Sequence, residues 1–247
     1  MSFIGTGKIK IAAYASGATF AARKFVDVGN ASVFEYSFSE NKKELLDYQD
    51  PAGGTAASVT KIDKVEGKMD LRKFTADNLA LALWGSSSVL GVVAITGEAH
   101  VIQPGAFIPT NRIINQTIAP VVKKGATVVA PADYTVSAGG ITIAATITTA
   151  TVIAGDAITI DYTPKASNDV QALIASAPNV SIFFEGINSV DGKAAMARLY
   201  NVKLGVASNV GQIGEDFGTL SLSFTVNKDT TVTGAGISQF LKLELES

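Results

Sequence analysis

Cysteine is absent from this chain, and histidine occurs only once, at His100. Without cysteine there is no disulfide framework and no thiolate chemistry, which favours folding in a reducing compartment. A hydrolytic triad, a general base at neutral pH and a zinc site all normally use histidine. These absences direct the search away from most kinds of enzyme and towards structural or binding roles.

Charge is also scarce, because charged residues make up 17% of the sequence, against roughly 25% in an ordinary soluble domain. The longest apolar runs, such as 89–95, are far below the roughly 18 residues of a membrane-spanning helix. Lys8 and Lys10 precede an apolar stretch that polar residues dilute, so no secretory signal is predicted. The formal net charge of -2 provides no basic surface for gripping nucleic acid. Burial of surface in an assembly would account for the shortage of charge.

Short runs of alternating apolar and polar residues, separated by Gly, Asn, Asp and Pro, predict a mainly β fold. In the run 34–39, aromatic residues fall on one face of a strand and polar residues on the other. The alternation resumes further on, where Val65, Met69 and Leu71 share the apolar face. We therefore predict one antiparallel hairpin with a very long loop, from Glu40 to Gly54, between its strands.

One helix is predicted in this β background, in FTADNLALALWG at 74–85. Thr75 is placed to cap its first free amides, and Gly85 is expected to take the left-handed conformation that ends it. Leu79 and Leu83 form an apolar side that is expected to lie across the preceding strand. The pattern predicts about three turns of helix flanking a sheet.

From about 99 to 163 the sequence becomes rich in Thr, Val, Ile and Ala. Within it, 132–164 predicts three or four short strands joined by Ala-Gly-Gly and Ala-Gly-Asp turns. DVQALIAS at 169–176 is interpreted as one or two helical turns. The segment 180–206 predicts two strands around a turn at 188–193, and two further alternating runs follow it.

No group of residues in the sequence predicts a catalytic, metal or cofactor site. His100 is interpreted as a surface or strand-edge histidine, because a zinc site needs three or four ligands. GTGK at 5–8 and DGK at 191–193 lack the spacing of a phosphate-binding loop and are interpreted as turns. Acidic residues between 47 and 70 lack the glycine spacing of a calcium loop. We therefore predict a protein that is not an enzyme and that has no cofactor.

The order of these features resembles that of the major tail proteins, or tail tube proteins, of long-tailed bacteriophages. The resemblance rests on the loop SENKKELLDYQDPAGG, the helix KFTADNLALALWG, and the FEGIN, DGK and MARLYNVKL stretches of the 184–204 hairpin. It covers roughly residues 10–98 and 168–247. It implies a discontinuous core domain, 1–98 with 168–247, and an inserted immunoglobulin-like β-sandwich module at 99–167.

The fold implied by this resemblance is a tail-tube-type β-sandwich or barrel flanked by the one helix. Six copies would form a ring, and stacked rings would form a hollow tube through which double-stranded DNA leaves the capsid without specific binding. The partners would be other copies of the chain and tail proteins such as the tape measure and terminator proteins. The protein would be made in the host cytoplasm and reside in the virion, and it would have no membrane segment.

The resemblance also implies two sets of site residues. The long loop would contact the adjacent ring through apolar anchors and register-setting charges: Lys42, Lys43, Glu44, Leu45, Leu46, Asp47, Tyr48 and Asp50. The polar strand faces would line the bore, where the carboxylates of Glu35, Glu66 and Asp70 would repel the phosphate backbone of passing DNA. Lysines that share this face would weaken that repulsion.

Other interpretations stay open at this point. A contractile-tail or type VI secretion tube uses a similar fold, and a surface- or glycan-binding β-sandwich protein would use the inserted module for binding. The long loop is alternatively a mobile hairpin tip, and the polar strand faces are alternatively plain solvated surface. The inserted module either projects outwards, where an insertion is tolerated best, or braces neighbouring subunits.

Overall fold

A computed structural model describes residues 4–49 and 53–247 of the chain. The described residues form several antiparallel sheets and one α-helix, which confirms the prediction of a mainly β fold with one helix. The chain divides into two compact units, the first formed by Met1–Ser87 with Val170–Ser247 and the second by Ser88–Asp169. The second unit is therefore inserted into the first.

The helix α1 spans Ala76–Ala82, and short 3-10 turns lie at Phe20–Ala22 and Pro131–Asp133. The strands of the described residues are β1 Gly5–Ala13, β2 Val26–Asp27, β3 Ala31–Leu46, β4 Thr55–Leu71, β5 Ser86–Leu90, β6 Ile95–Val101, β7 Phe107–Pro109, β8 Val121–Lys124, β9 Thr127–Val128, β10 Tyr134–Ser137, β11 Gly140–Ile143, β12 Ala157–Tyr162, β13 Ser167–Gln171, β14 Asn179–Asn188, β15 Ala194–Leu204, β16 Leu220–Asn227 and β17 Leu241–Leu245.

An eight-stranded antiparallel sheet forms the framework of the first unit, in the order β2-β1-β14-β15-β16-β4-β3, with β17 also paired to β15. The predicted turn at 188–193 joins β14 to β15, and the Gly192 amide donates to the Asn188 carbonyl across it. One edge of β15 is shared, because Ala195 to Leu199 pair with β17 and Asn201 to Leu204 pair with β16. The sheet can therefore continue in two directions from β15.

The core of the first unit lies on one face of this sheet. Val65, Met69 and Leu71 of β4 are buried, as their alternation predicted. Strand β16 follows the same rule, with every second residue from Leu220 to Val226 buried. Burying each such side chain contributes about 1.5–3 kcal/mol to stability. This apolar face holds the bases of the long strands in place.

The helix α1 begins as predicted but ends differently. The Thr75 hydroxyl accepts a hydrogen bond from the Asn78 amide and so caps the helix. At the other end Trp84, not Gly85, takes the left-handed conformation, with a φ of 49°. Gly85 is required for space instead, because a Cβ there would lie 2.0 Å from the Gln171 carbonyl oxygen. The prediction for Gly85 was wrong because this approach of a distant strand leaves no local pattern.

The helix also packs through smaller side chains than the sequence indicated. Asn78 and Ala82 are buried, whereas Leu79 and Leu83 are only partly buried. The Asn78 side-chain amide donates to the Val28 carbonyl oxygen at 2.8 Å, which ties the helix to the start of the sheet. The helix is seven residues long, so about two turns form rather than three. No helix in the described part of the chain has the length and apolarity to cross a bilayer.

A buried ion pair joins the two ends of the first unit. The Arg23 guanidinium lies 2.7 Å from the Asp229 carboxylate, and both side chains are almost completely buried. Arg23 also donates to the Ser181 hydroxyl and to the Tyr200 carbonyl oxygen. Burial alone would raise the pKa of Asp229, but hydrogen bonds from Arg23 and Thr231 hold it below its usual range. The charges are thus compensated inside the fold.

The second unit is built from two small antiparallel sheets, ordered β6-β12-β8-β9 and β10-β11-β7. Its own core contains Ile114, Val122, Ile141 and Ile160, all completely buried. Ala138 and Gly139 form the two-residue turn of the β10–β11 hairpin. Because this core is separate from that of the first unit, the second unit has the means to fold as a module of its own.

One aspartate organises the loop before β12 in the second unit. Asp133 is completely buried, and its carboxylate accepts hydrogen bonds from the amide and hydroxyl groups of both Thr148 and Thr149. Bonds from Thr149 and Thr148 hold the pKa of Asp133 well below its usual range. The carboxylate therefore takes the place of a strand partner for the 148–149 backbone.

The segment 169–176 is not helical, and the helical interpretation was wrong. Residues Ser167–Gln171 form β13, which pairs with β5 in a two-stranded sheet at the two chain crossings between the units. The residues that follow up to 176 have no regular structure. Ala172 and Leu173 are good helix formers, but the Leu173 amide donates to the distant Leu83 carbonyl rather than to a helical partner.

Candidate functional site

The outer part of the β3–β4 hairpin projects beyond the core of the first unit. The last core residue of β4 is Val65, which lies opposite Phe38 of β3. Beyond this pair, every residue of 39–46 and 55–64 is exposed. We call these two segments the arm. The backbone ladder and exposed side-chain contacts, rather than packing against the core, hold the arm. An isolated two-stranded hairpin is at best marginally stable in water.

The arm corrects the predicted long loop. Strand β3 continues to Leu46 and β4 starts at Thr55, so residues 40–46 of the segment 40–54 belong to the ladder. Register shifts interrupt the pairing at three places, between Ala31 and Val33, Ser39 and Glu40, and Leu45 and Leu46. The charged run hid this strand because its residues do not alternate between apolar and polar.

The residues predicted to contact a neighbouring ring lie at the outer end of the arm. Leu45, Leu46 and Tyr48 are exposed by 63%, 47% and 85%, which is unusual for such large apolar side chains. Lys42 and Glu44 form an ion pair of 2.5 Å within the same strand. Lys43 pairs across the ladder with Val59, and the Asp47 amide donates to the Gly54 carbonyl. Asp50 lies outside the described residues.

The predicted bore residues share one polar face of the sheet. Glu35 lies 3.2 Å from Lys68 on the neighbouring strand, and Glu66 lies 3.9 Å from Lys64. Asp70 is paired in the ladder with Val33 and Ser221. The face thus has charge of both signs, and the carboxylates of Glu35 and Glu66 lie near lysines.

This polar face opens into a groove of about 930 Å³. Glu35, Glu66 and Lys68 line its floor, and Lys203 and Trp84 line its sides. The groove contains no histidine and no close group of acids, so its chemistry is that of a mixed, solvated surface. It does not assemble the nucleophile, base and oxyanion donors of a hydrolytic site.

A second groove, of about 980 Å³, opens on the apolar face of the same sheet. Phe34 of β3 lies over Phe184 of β14 with ring centroids 5.9 Å apart and forms one wall. The other wall is β17, where Leu243 and Leu245 are exposed by 51% and 68%. We call this groove the socket. It is the part of the apolar sheet face that the chain leaves uncovered.

Two strand edges of the first unit have free backbone groups. Strand β3 ends the sheet and pairs only with β4, and β17 pairs only with β15, within the described residues. Unpaired amides and carbonyls along an edge can pair with a strand of another chain. These edges flank the socket, so backbone and apolar surface are available in one place.

The single histidine belongs to a polar cluster in the second unit. His100 Nε2 lies 2.8 Å from Glu98, which also accepts hydrogen bonds from the Tyr162 hydroxyl and the Asn111 amide. Burial would raise the pKa of Glu98, but these bonds hold it below its usual range, and burial beside Glu98 raises the pKa of Tyr162 to about 12. The cluster braces β6 against β12. Within 4–49 and 53–247, no group of three or more potential metal ligands is present.

Sequence reasoning missed the arm strands, the socket and the Arg23–Asp229 pair. The low charge content predicts that many apolar side chains are exposed. It does not predict where they lie in the fold. The socket depends on the divided edge of β15, which no local pattern encodes. The ion pair joins residues 206 positions apart.

Comparison with known proteins identifies a family but no activity. No curated protein matches the chain. A family model described as "Protein of unknown function UCP028589" matches residues 2–244. The matched range begins and ends in the first compact unit and spans the second. The chain belongs to the family of proteins of unknown function UCP028589.

Proposed function

We propose that this chain is a structural protein of a virion, which self-assembles as stacked hexameric rings into the tail tube of a long-tailed bacteriophage. The tube would conduct double-stranded DNA into the host without binding it specifically. The partners would be other copies of this chain and the tape measure and terminator proteins of the tail. Synthesis would take place in the host cytoplasm, and the final location would be the virion.

The observation that carries the proposal is the arm. It spans 39–46 and 55–64, is fully exposed, and presents Leu45, Val59 and Ile62 to solvent. A chain gains little by ordering two strands that bury nothing, because fixing each residue costs about 1–2 kcal/mol of conformational entropy. If an adjacent copy covered the arm, burial of its apolar side chains would offset this loss of conformational entropy. Assembly therefore explains both the length and the exposed side chains of the arm.

The free edges and the polar face are consistent with the same proposal. Edge strands β3 and β17 would be covered by neighbouring copies in a ring, which removes their unpaired backbone groups. The polar face would line the bore. Because Glu35 and Glu66 lie near lysines, the bore would keep DNA from sticking by a balance of opposite charges rather than by strong repulsion.

Negative-stain electron microscopy of the purified chain tests the proposal directly. We expect hollow tubes or six-fold rings, whose number increases with protein concentration. Sedimentation analysis over the same concentrations provides the control for irregular aggregates. A monodisperse monomer at all concentrations, with no ring or tube, would contradict the proposed function.

Shortening the arm tests the observation that carries the proposal. Asn41 and Lys61 are cross-strand partners, so an Asn-Gly turn replacing residues 42–60 would close the hairpin between them. We expect loss of tubes, with the free energy of unfolding changed by less than about 1 kcal/mol, because the removed residues touch no core. The conservative variant Thr60→Ser, at an exposed arm position, serves as the matched control and should assemble normally.

A further inference from the structure

Trp84 and Leu173 are the only non-glycine residues with a positive φ among 4–49 and 53–247, at 49° and 59°. Bulky residues rarely adopt this conformation, which costs of order 1–3 kcal/mol and persists only where the surroundings enforce it. Glycine or asparagine at either position would relieve the strain. The hydrogen bonds around Trp84 and Leu173 hold both residues in this conformation.

The two strained residues belong to one hydrogen-bonded structure. The Leu173 amide donates to the Leu83 carbonyl at 2.8 Å, and the Ala175 amide donates to the Trp84 carbonyl at 2.9 Å. These bonds hold the loop after β13 at both of its ends. The rigid loop presents two neighbouring apolar side chains, Leu173 and Ile174, which are exposed by 69% and 63%. We call this pair the knob.

The socket has the character that complements the knob. Across β1, β14, β15 and β17 the ladder aligns small residues, with Gly7 opposite Gly186, Gly186 opposite Ala195, and Ala195 opposite Leu245. The Phe184 ring lies against Gly7 and Gly186, where a larger side chain would not fit, and Leu243 and Leu245 form an apolar rim of the groove. The socket volume of about 980 Å³ is ample for two aliphatic side chains. Knob and socket both belong to the first unit.

The two features lie towards opposite ends of the same strand. The knob precedes the start of β14 at Asn179, whereas the socket is reached at Phe184. At about 3.3 Å per residue, Phe184 lies about 17 Å along β14 from Asn179. A knob therefore cannot enter the socket of its own chain. A contact between opposite ends of two copies is heterologous and extends from copy to copy.

Charges beside the two features are also complementary. Lys203 pairs with Asn179 in the ladder at the knob end of β14 and borders the same groove as Ser176 and Ala177. Glu246 follows β17 at the socket end, where its amide donates to the Ala194 carbonyl. Neither Lys203 nor Glu246 forms a salt bridge with any residue that the structure describes. A second copy seated on the socket would bring a lysine towards a carboxylate.

We propose that the Leu173–Ile174 knob of one copy docks into the socket of the next copy, and that this head-to-tail contact lengthens the assembly. The proposal rests on self-assembly of the chain, as set out under the proposed function, and adds the two surfaces that meet. The hydrogen bonds from the Leu173 and Ala175 amides keep the knob ordered before docking. Less conformational entropy is then lost when the contact forms.

Substitution at Leu173 tests the knob. Leu173→Asn removes the apolar side chain but suits the left-handed backbone, so the fold should be retained. We expect the protein concentration needed for tube formation, measured by sedimentation and microscopy, to rise at least about tenfold. Ile153→Asn is the matched control, because Ile153 is 65% exposed and belongs to neither surface. Unchanged assembly of Leu173→Asn would overturn the proposal.

Mixing two defective variants tests the pairing itself. Leu245→Asp blocks the socket and keeps the knob, whereas Leu173→Asn keeps the socket. Each variant alone should fail to lengthen, but together they should associate through the one intact knob and socket, detected by sedimentation of labelled protein. Absence of this association would overturn the proposal. If the two variants associate but the unaltered chain forms no tubes, the knob–socket contact is supported and the proposed function is contradicted. If the unaltered chain forms tubes and neither variant changes their formation, the proposed function is supported and the knob–socket contact is contradicted.

Discussion

The base and the arm of the β3–β4 hairpin are made of the same two strands, yet different forces hold them. In the base, Met69 and Leu71 are completely buried against the sheet core. In the arm, Val59 and Ile62 are exposed by 57% and 53%, and only the ladder and an exposed ion pair act. The comparison teaches that strand geometry can continue where tertiary packing has stopped. The arm lacks the core contacts that stabilise the base of the same hairpin.

Breaking the buried ion pair should have the largest effect on the free energy of unfolding. Asp229→Asn leaves the Arg23 guanidinium buried without its counter-charge, and we expect a loss of about 3–5 kcal/mol. Chemical denaturation followed by circular dichroism measures this loss. A loss below about 1 kcal/mol would mean that water reaches Arg23 in the variant and that the packed part of the unit is looser than its burial indicates.

Removing a core side chain from the base should have the next largest effect. Met69→Ala opens a cavity at a completely buried position and should cost about 2–5 kcal/mol. Ile62→Ala is the matched control in the arm of the same strand and should cost less than about 1 kcal/mol. Urea denaturation measures both losses of unfolding free energy. Equal losses for the two variants would contradict the view that core packing stabilises the base but not the arm.

Acid should weaken the packed part of the first unit through Asp229. Because its pKa is lowered in the folded state, the carboxylate contributes stability above its unfolded pKa of roughly 4, and this stability is lost as the pH falls through the folded pKa. Unfolding measured between pH 7 and pH 2 should show this decline. Asp229→Asn should show a shallower decline, and identical slopes for the two proteins would exclude Asp229 as a source.

Removing the ion pair of the arm should have the smallest effect on stability. Lys42 and Glu44 are exposed by 57% and 40% at the side chain, so Glu44→Gln should change the free energy of unfolding by less than about 0.5 kcal/mol. The same denaturation experiment checks this value. A loss of 2 kcal/mol or more, on the order of a buried hydrogen bond to a charge, would show that the arm packs against its own chain in solution.

Much of the packed part could be predicted because its strands carry a binary pattern. Alternation with polar residues indicates that Val65, Met69 and Leu71 share one face, and the residue types at 188–193 indicate a turn. The cap at Thr75 is equally local. Such features depend on neighbours in sequence, so one chain segment is enough to infer them.

The remaining features depend on residues that are distant in sequence. The outer strand 40–46 has no alternation, and pairing with 55–62 alone makes it β. Strand β13 forms because β5 lies beside it, and Gly85 is set by the approach of Gln171. The sequence placed the predicted inter-ring residues, such as Leu45, only along a loop, and it did not indicate Leu173. The exposure of both side chains is a property of the fold and not of the local sequence.

The three register shifts of the β3–β4 ladder have a consequence for the free chain. Each shift leaves an extra residue and bends the strand, so the outer edge of β3 is neither flat nor regular. A bent, irregular edge offers a flat extended peptide fewer consecutive backbone partners, which disfavours amyloid-like growth along β3.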